Sequence, residues 1–313
     1  MTGIGDYCVH GLRVRSEIDL PEVRRASAPG VPDVEVKLGM VDDAGLDDGP
    51  MNVTGRRASF AIAGTARYAI EDGSTIVVEP VDGAPARNVR LFLLGSAMGA
   101  LIHQRGLLPL HASAIMVGDK AIVFMGHSGA GKSTLAAWFH DRGHIVLGDD
   151  VCVVRGTGDR PTISAGLQRV RLWKNTLEAT GRDHSAYPPS YAGLQGSDKY
   201  DVTFDGQRPP EADVELAAIY ELAKGEGLEI WQRRGSEAAD AVIANTYRGE
   251  YVALVGNVRG HWESCIQLVQ RTPVFRLERP WDLETGAHVA ERILEHAVGM
   301  PKRGVASAGE TPP

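Results

Sequence analysis

Gly126 to Ser133 reads G-H-S-G-A-G-K-S, which satisfies the spacing G-x-x-x-x-G-K-[ST] of a phosphate-binding loop. An apolar run over 121–125 precedes it and a helix-like segment over 133–142 follows, so the strand, loop, helix order that the motif requires is present. Gly126, Gly129 and Gly131 permit backbone angles that turn successive N–H groups inward around phosphate oxygens, while Lys132 supplies a point charge. His127, Ser128, Ala130 and Thr134 complete the expected nucleotide-binding segment, and Ser133 is placed to ligate Mg²⁺.

Two acids and a histidine stand close to this loop in the chain. Asp149 and Asp150 follow the apolar run 145–147, so the strand that carries them comes straight after the loop helix. A carboxylate there can sit opposite a γ-phosphate, either holding Mg²⁺ or accepting the proton of an attacking hydroxyl, and adjacent aspartates could divide the two jobs. Elsewhere an Asp pair is a solvated turn or a helix cap. His111 precedes the strand-like 112–117, which Gly118 and Asp119 join by a tight turn to the strand feeding the loop. If those strands are antiparallel neighbours, His111 comes near the loop; otherwise it is one more packed histidine.

With the residues L-H-A-S-A, G-H-S-G-A-G-K-S-T and R-G-H-I-V-L-G-D-D in this order, the chain resembles the kinase core of HPr kinase/phosphorylase. The resemblance puts His111 on that family's active-site histidine, Lys132 and Ser133 on its phosphate and Mg²⁺ residues, and Asp150 on its proton-accepting aspartate. Asp149 is left to position metal or substrate. Softer matches, G-L-R-V-R-S-E-I-D-L-P, F-L-L-G-S-A-M-G-A-L-I-H-Q-R-G-L-L-P-L-H and T-P-V-F-R-L-E-R-P-W-D, look like a divergent bacterial branch of HPr-kinase-like serine kinases. Some members of that branch accompany lasso-peptide biosynthesis and phosphorylate the precursor peptide. The resemblance thus implies ATP and Mg²⁺ as cofactors, a serine of a peptide or small protein as acceptor, and a homo-oligomer. One departure stands out: where the family carries a second signature of the form E-[IV]-R-G-[LI]-G, this chain has G-L-Q-R-V-R-L-W from Gly166 to Trp173. The missing glutamate predicts a one-way kinase that inorganic phosphate does not reverse. Arg169 and Arg171, at alternate positions of that strand-like run, could face phosphate or an acidic substrate together, or form a solvated strand face.

The surrounding elements follow from pattern. Residues 1–86 are β-rich: 33–38 alternates, and 66–70 and 74–81 are strand-like with a turn between them, which predicts a small meander. Residues 27–32 and 41–50 read as loops, and 88–104 as a buried helix bridging to the kinase core. Beyond residue 154 the reading is a hairpin, a strand over 169–173, a short helix over 175–179, and a long polar loop over 181–211 where a substrate lid could lie. Strands over 214–222 and 228–232, a helix over 238–245 and a closing amphipathic helix over 287–298 complete it. Arg248, just after the helix, is a further candidate for stabilising transferred phosphate. The expected class is α/β: a β-rich N-terminal part (1–86), a P-loop kinase core with a mixed sheet (87–299) and a mobile tail (300–313).

Composition limits the alternatives. The 313 residues, 43% hydrophobic and 23% charged, suffice for a sizeable core. A net charge of −7 leaves no excess of cations for nucleic acid. The three cysteines lack C-x-x-C spacing, which argues against a zinc site or disulfide framework and fits a reducing cytoplasm. No stretch approaches the roughly 18 apolar residues of a membrane span, and the start lacks a signal-peptide pattern. Two rivals to a peptide kinase remain at this stage: a small-molecule kinase, which needs an enclosed pocket beside Asp150, and a nucleotide-sensing regulator that transfers nothing.

Overall fold

The computed structural model describes residues 4–42, 51–156, 160–193, 198–203, 208–255 and 257–300. The chain opens with β1 (Gly5–Val9), β2 (Leu12–Ser16), β3 (Arg24–Arg25), β4 (Val34–Leu38), β5 (Asn52–Thr54), β6 (Arg57–Ile62), β7 (Ala66–Glu71) and β8 (Thr75–Pro80). They form one sheet in the order β3-β1-β2-β4-β8-β7-β6-β5. From β5 to β8 it is the antiparallel meander that the turns predict. By contrast, β4 pairs in parallel with both β2 and β8. β1 and β2 alternate buried and half-buried residues, as strands covered on one face do.

The apolar stretch after this sheet is not one uniform helix. It runs as α1 (Ala86–Phe92), a π-helical turn (Leu93–Ala97) and α2 (Met98–Gln104). Such turns recur where a helix lines a site, and this one brings Ser96 within 3.0 Å of Arg248. Leu93, Leu94, Met98 and Leu101 pack under the first sheet in a core that also takes in Val151, Leu167 and Tyr247. The first sheet therefore rests directly on the segments that flank the Asp pair.

The remaining strands are β9 (Leu108–Leu110), β10 (Ala112–Val117), β11 (Lys120–Met125), β12 (Val146–Gly148), β13 (Cys152–Arg155), β14 (Thr162–Ile163), β15 (Arg169–Trp173), β16 (Lys199–Thr203), β17 (Val214–Lys224), β18 (Glu229–Arg233) and β19 (Val274–Arg279). β15 and β16 pair with each other; the rest share one mixed sheet. β10 and β11 form the expected antiparallel hairpin, with Ala112 opposite Met125, while β11 and β19 each pair in parallel with β17.

The helices that follow are α3 (Lys132–Asp141), α4 (Lys174–Ala179), α5 (Gly235–Ala244), α6 (Glu250–Leu254), α7 (Val258–Arg271) and α8 (Gly286–Gly299). Side chains along β11 alternate between two cores. Ile122 and Phe124 meet Leu135 and Phe139 of α3 and Ile293 of α8. Val123 and Met125 meet Val242 of α5 and Leu268 of α7. The sheet is thus a middle layer between two helical layers, with Phe124 stacked on Phe139 at a centroid distance of 5.4 Å.

Two departures from the sequence reading stand out. α6 and α7 were not expected, because their polar faces dominate the composition and only Tyr251, Val252, Cys265 and Leu268 are buried. β16 lies inside the stretch read as a loop; its residues are polar except at Val202, and pairing with β15 sets its conformation. The tail beyond Met300 and the parts of the loop readings at 43–50, 194–197 and 204–207 lie outside the described residues. Among the described residues, no helix is long and apolar enough to cross a membrane.

Candidate active site

The loop leaves β11 and enters α3. Gly126 has φ 148°, and a Cβ there would stand 2.9 Å from the Leu222 carbonyl oxygen of β17, so only glycine fits. Lys132 turns back into the loop, where Nζ donates to the carbonyl oxygens of Gly126 at 2.7 Å and His127 at 3.1 Å. Lys132 is 6% exposed, and that burial pushes its pKa down to about 8 against the pull of Asp149 and Asp150.

Sheet topology explains how His111 and the Asp pair meet. β10 pairs with β12, Ala114 opposite Gly148, while β9 pairs with β13, Leu110 opposite Cys152. His111 is the residue between β9 and β10; Asp149 to Val151 lie between β12 and β13. The two crossings therefore face each other. His111 Nδ1 lies 3.1 Å from the Asp150 carbonyl oxygen and 3.5 Å from its carboxylate. Asp150 has φ 72°, a left-handed conformation uncommon outside glycine but open to aspartate, and one that clusters at functional sites.

The two aspartates have different surroundings. Asp149 is 5% exposed. Its Oδ1 accepts hydrogen bonds from Ser113 Oγ at 2.6 Å and Ser133 Oγ at 2.9 Å, and its Oδ2 from the Arg171 N–H at 3.0 Å. It ties the loop helix to β10 and β15. Asp150 is more open and forms an ion pair with the Arg171 guanidinium. Burial works to raise its pKa, but Arg171, His111, Lys199 and Lys132 together outweigh that and hold it below the usual carboxylate value. His111 is lowered by burial first and by Lys132 second, so its neutral form is favoured.

Ser133 Oγ and Asp149 Oδ1 also test the fit of a metal ion. Their 2.9 Å separation matches the spacing, about 2.9 Å, of neighbouring ligands on an octahedral Mg²⁺ with bonds of 2.0–2.1 Å. Among the described residues no cluster of three His, Cys, Asp or Glu could form a metal cage. A Mg²⁺ ion held here would take this oxygen pair from the protein and its other ligands from water and phosphate, a common manner of binding for this ion.

Two cavities meet at His111, Asp149, Asp150 and Arg171. One, of about 380 Å³, is walled by the loop from Ser128 to Thr134 and also lined by Lys199, Arg279 and Trp281. The other, of about 590 Å³, lies between the π-helical turn, Leu167, Arg169 and the segment from Ile243 to Glu250. That segment is stitched onto β9: the His111 N–H donates to the Asn245 carbonyl at 2.7 Å, and the Tyr247 N–H to that of Pro109 at 2.9 Å. Arg248 reaches the second cavity this way, at φ 51°.

All the residues singled out from the sequence border this region, but the arginines are not alike. Arg169 and Arg171 do share a face, opposite Val170 and Leu172 in the core. Arg169 forms a buried ion pair with Asp201, which also takes Arg87 at 3.0 Å, so its charge is committed. Ser113, Lys199, Arg279 and Trp281 were not singled out. Ser113 had a visible signal, since it lies on the strand that begins just after His111. Arg279 and Trp281 fall inside the quoted run T-P-V-F-R-L-E-R-P-W-D but carried no role there, and Lys199 lies outside every motif; β16 and the end of β19 deliver these three.

No family model matches the chain, and no curated protein matches it in sequence. Among solved structures, the chain is similar to the HPr(Ser) kinase/phosphatase from Coxiella burnetii, with 12% identity over 61% of this chain and 96% of that one and a TM-score of 0.32. A likeness this slight says nothing about activity.

Proposed function

We propose that the protein is an ATP- and Mg²⁺-dependent kinase that transfers the γ-phosphoryl group to a hydroxyl, with a serine of a peptide or small protein as the favoured acceptor. The observation that carries this reading is the meeting of two cavities at the Asp149–Asp150 pair. A nucleotide held by the amides of the 126–133 loop, Lys132 and Ser133 would direct its γ-phosphate to Asp150 from one side, and an acceptor in the larger cavity would reach it from the other. Asp150 is ionised at neutral pH and ready to accept a proton.

As the hydroxyl oxygen bonds to phosphorus, the β–γ bridging P–O bond breaks, its electrons stay with ADP, and the hydroxyl proton passes to Asp150. Arg171 keeps that carboxylate in place and His111 buttresses it. Bound Mg²⁺ would offset charge on the phosphate oxygens. Asp149, held by both serines and a backbone N–H, fixes Ser133 relative to Asp150. The site needs little covalent participation, because positioning and charge stabilisation supply most of the acceleration in phosphoryl transfer.

A small-molecule acceptor is the second reading, favoured by the cavity of about 590 Å³, a size within the range of small-ligand pockets. Incubation with γ-labelled ATP, Mg²⁺ and panels of peptides, proteins and hydroxyl metabolites distinguishes the two. Label on serine supports the first and label on a metabolite the second. Tight ATP binding with no labelled product and no ADP formed over the whole panel would leave a nucleotide-sensing regulator.

A further inference from the structure

Arg279, the last residue of β19, is 7% exposed, and among the described residues it makes no ion pair. Nη1 donates to the Pro280 carbonyl at 3.2 Å and Nη2 to that of Ala130 at 3.0 Å, while Nε has no partner. The other guanidiniums of the site are compensated: Arg171 by Asp150 and Arg169 by Asp201. Burying an uncompensated cation is costly, and arginine does not escape by losing its proton. Burial pushes its pKa down, with no neighbouring acid acting against it.

Its place explains what such a charge could serve. β11 and β19 both run parallel to β17, so the loop that leaves β11 and the arginine that ends β19 emerge at the same carboxyl edge of the sheet. Ligands of α/β sheets bind at that edge. Arg279 walls the smaller cavity together with Lys132 and Ser133. Nη2 occupies the space that a side chain at Gly131 would need, which sets the guanidinium directly against the loop backbone.

We propose that Arg279 is a phosphate ligand of the nucleotide site, its Nε–H and the adjoining edge of the fork donating to polyphosphate oxygens while Nη2 braces the loop through Ala130. The proposal rests on the nucleotide reading of the loop and adds to it a second cation, delivered by a different strand from Lys132. A guanidinium suits the task because its planar fork matches phosphate oxygens two at a time.

The test measures binding of ATP and of tripolyphosphate, which has no base or sugar, to the full-length chain with Mg²⁺. Calorimetry gives the affinities, and Trp281, 42% exposed in the same cavity, gives a fluorescence signal. Arg279→Gln is expected to weaken both ligands roughly ten- to a hundredfold, and Arg279→Lys to recover part of the loss. Without ligand, Arg279→Gln should unfold at no lower temperature than wild type, since an uncompensated charge leaves the interior. Wild-type affinity in Arg279→Gln, with binding lost in Lys132→Ala, would overturn the role of Arg279 alone. Equal losses in the Gln and Lys variants, with a lowered ligand-free unfolding temperature, would reduce it to a scaffold and also overturn the proposal. If wild type binds neither ligand, the nucleotide reading itself falls and takes this role with it.

Discussion

Asp149→Asn should destabilise the fold even with no ligand present. Asp149 is 5% exposed and accepts from two hydroxyls and one backbone N–H. Asparagine keeps the shape but replaces one accepting oxygen with an NH₂ group. If that group faces Arg171, donor meets donor; if it is flipped, both serine hydroxyls must turn away. Either way at least one bond to a charged acceptor is lost, worth about 1.5–3 kcal/mol, and a buried donor is stranded at a further ~1–3 kcal/mol. Relief of repulsion from the adjacent Asp150 offsets roughly 1 kcal/mol, leaving a net loss of about 3 kcal/mol, or roughly 5 °C in Tm for a chain of this size. Urea and thermal unfolding followed by tryptophan fluorescence measure it. A variant within about 0.5 kcal/mol of wild type would mean that Asp149 does not tie β10, α3 and β15 together.

Other expectations concern titration and direction. With Lys132 lowered to about 8, the protonated form that phosphate prefers is lost above that pH, so ATP affinity should fall as pH rises through about 8, by at most about tenfold per unit. Lys132→Arg should bind with little pH dependence, and a flat wild-type profile would refute the assignment. His10 is buried with both ring nitrogens unpartnered, and burial lowers it from 6.5 to about 4. Between those values the unfolded chain binds a proton that the fold does not; stability is therefore complete above pH 6.5 and declines toward pH 4, by roughly 3 kcal/mol. His10→Asn, which tolerates the φ of 55° at this position, should flatten that acid limb, and an unchanged limb would point to other groups. For direction, the segment from Gly166 to Trp173 puts arginines and no carboxylate in the site. Phosphorylated product incubated with enzyme, Mg²⁺ and excess inorganic phosphate should release no pyrophosphate; release at the forward rate would contradict a one-way kinase.

Legibility followed the range of the interactions. The loop, the hairpin of β10 and β11 and the strand after α3 could be read because glycine spacing, a two-residue turn and short apolar runs are local signals. Whether His111 reaches Asp150 was open in the sequence, since it depends on β9 and β10 pairing with β13 and β12 across the loop, contacts that no periodicity encodes. The fates of the arginines were hidden for the same reason. Arg169 reads like Arg171 until Asp201 arrives on β16, a strand whose polar residues look like loop. Arg279 is masked by its sequence context R-L-E-R, which suggests a paired surface charge; only burial at the end of β19 shows it to be uncompensated. Arg248, singled out for phosphate, lies beside Ser96 and over the rings of Tyr247 and Tyr251, on the wall of the larger cavity.

The central claim, that phosphoryl transfer occurs where the two cavities meet, is tested most directly by comparing wild type with Asp150→Asn in the γ-labelled ATP assay on an acceptor that wild type labels. Asparagine preserves the side-chain volume and leaves the 126–133 loop untouched, so ATP should bind within about threefold of wild type while transfer falls at least about a hundredfold, the scale of a lost general base. Retention of wild-type turnover by Asp150→Asn, with ATP bound normally, would contradict the account.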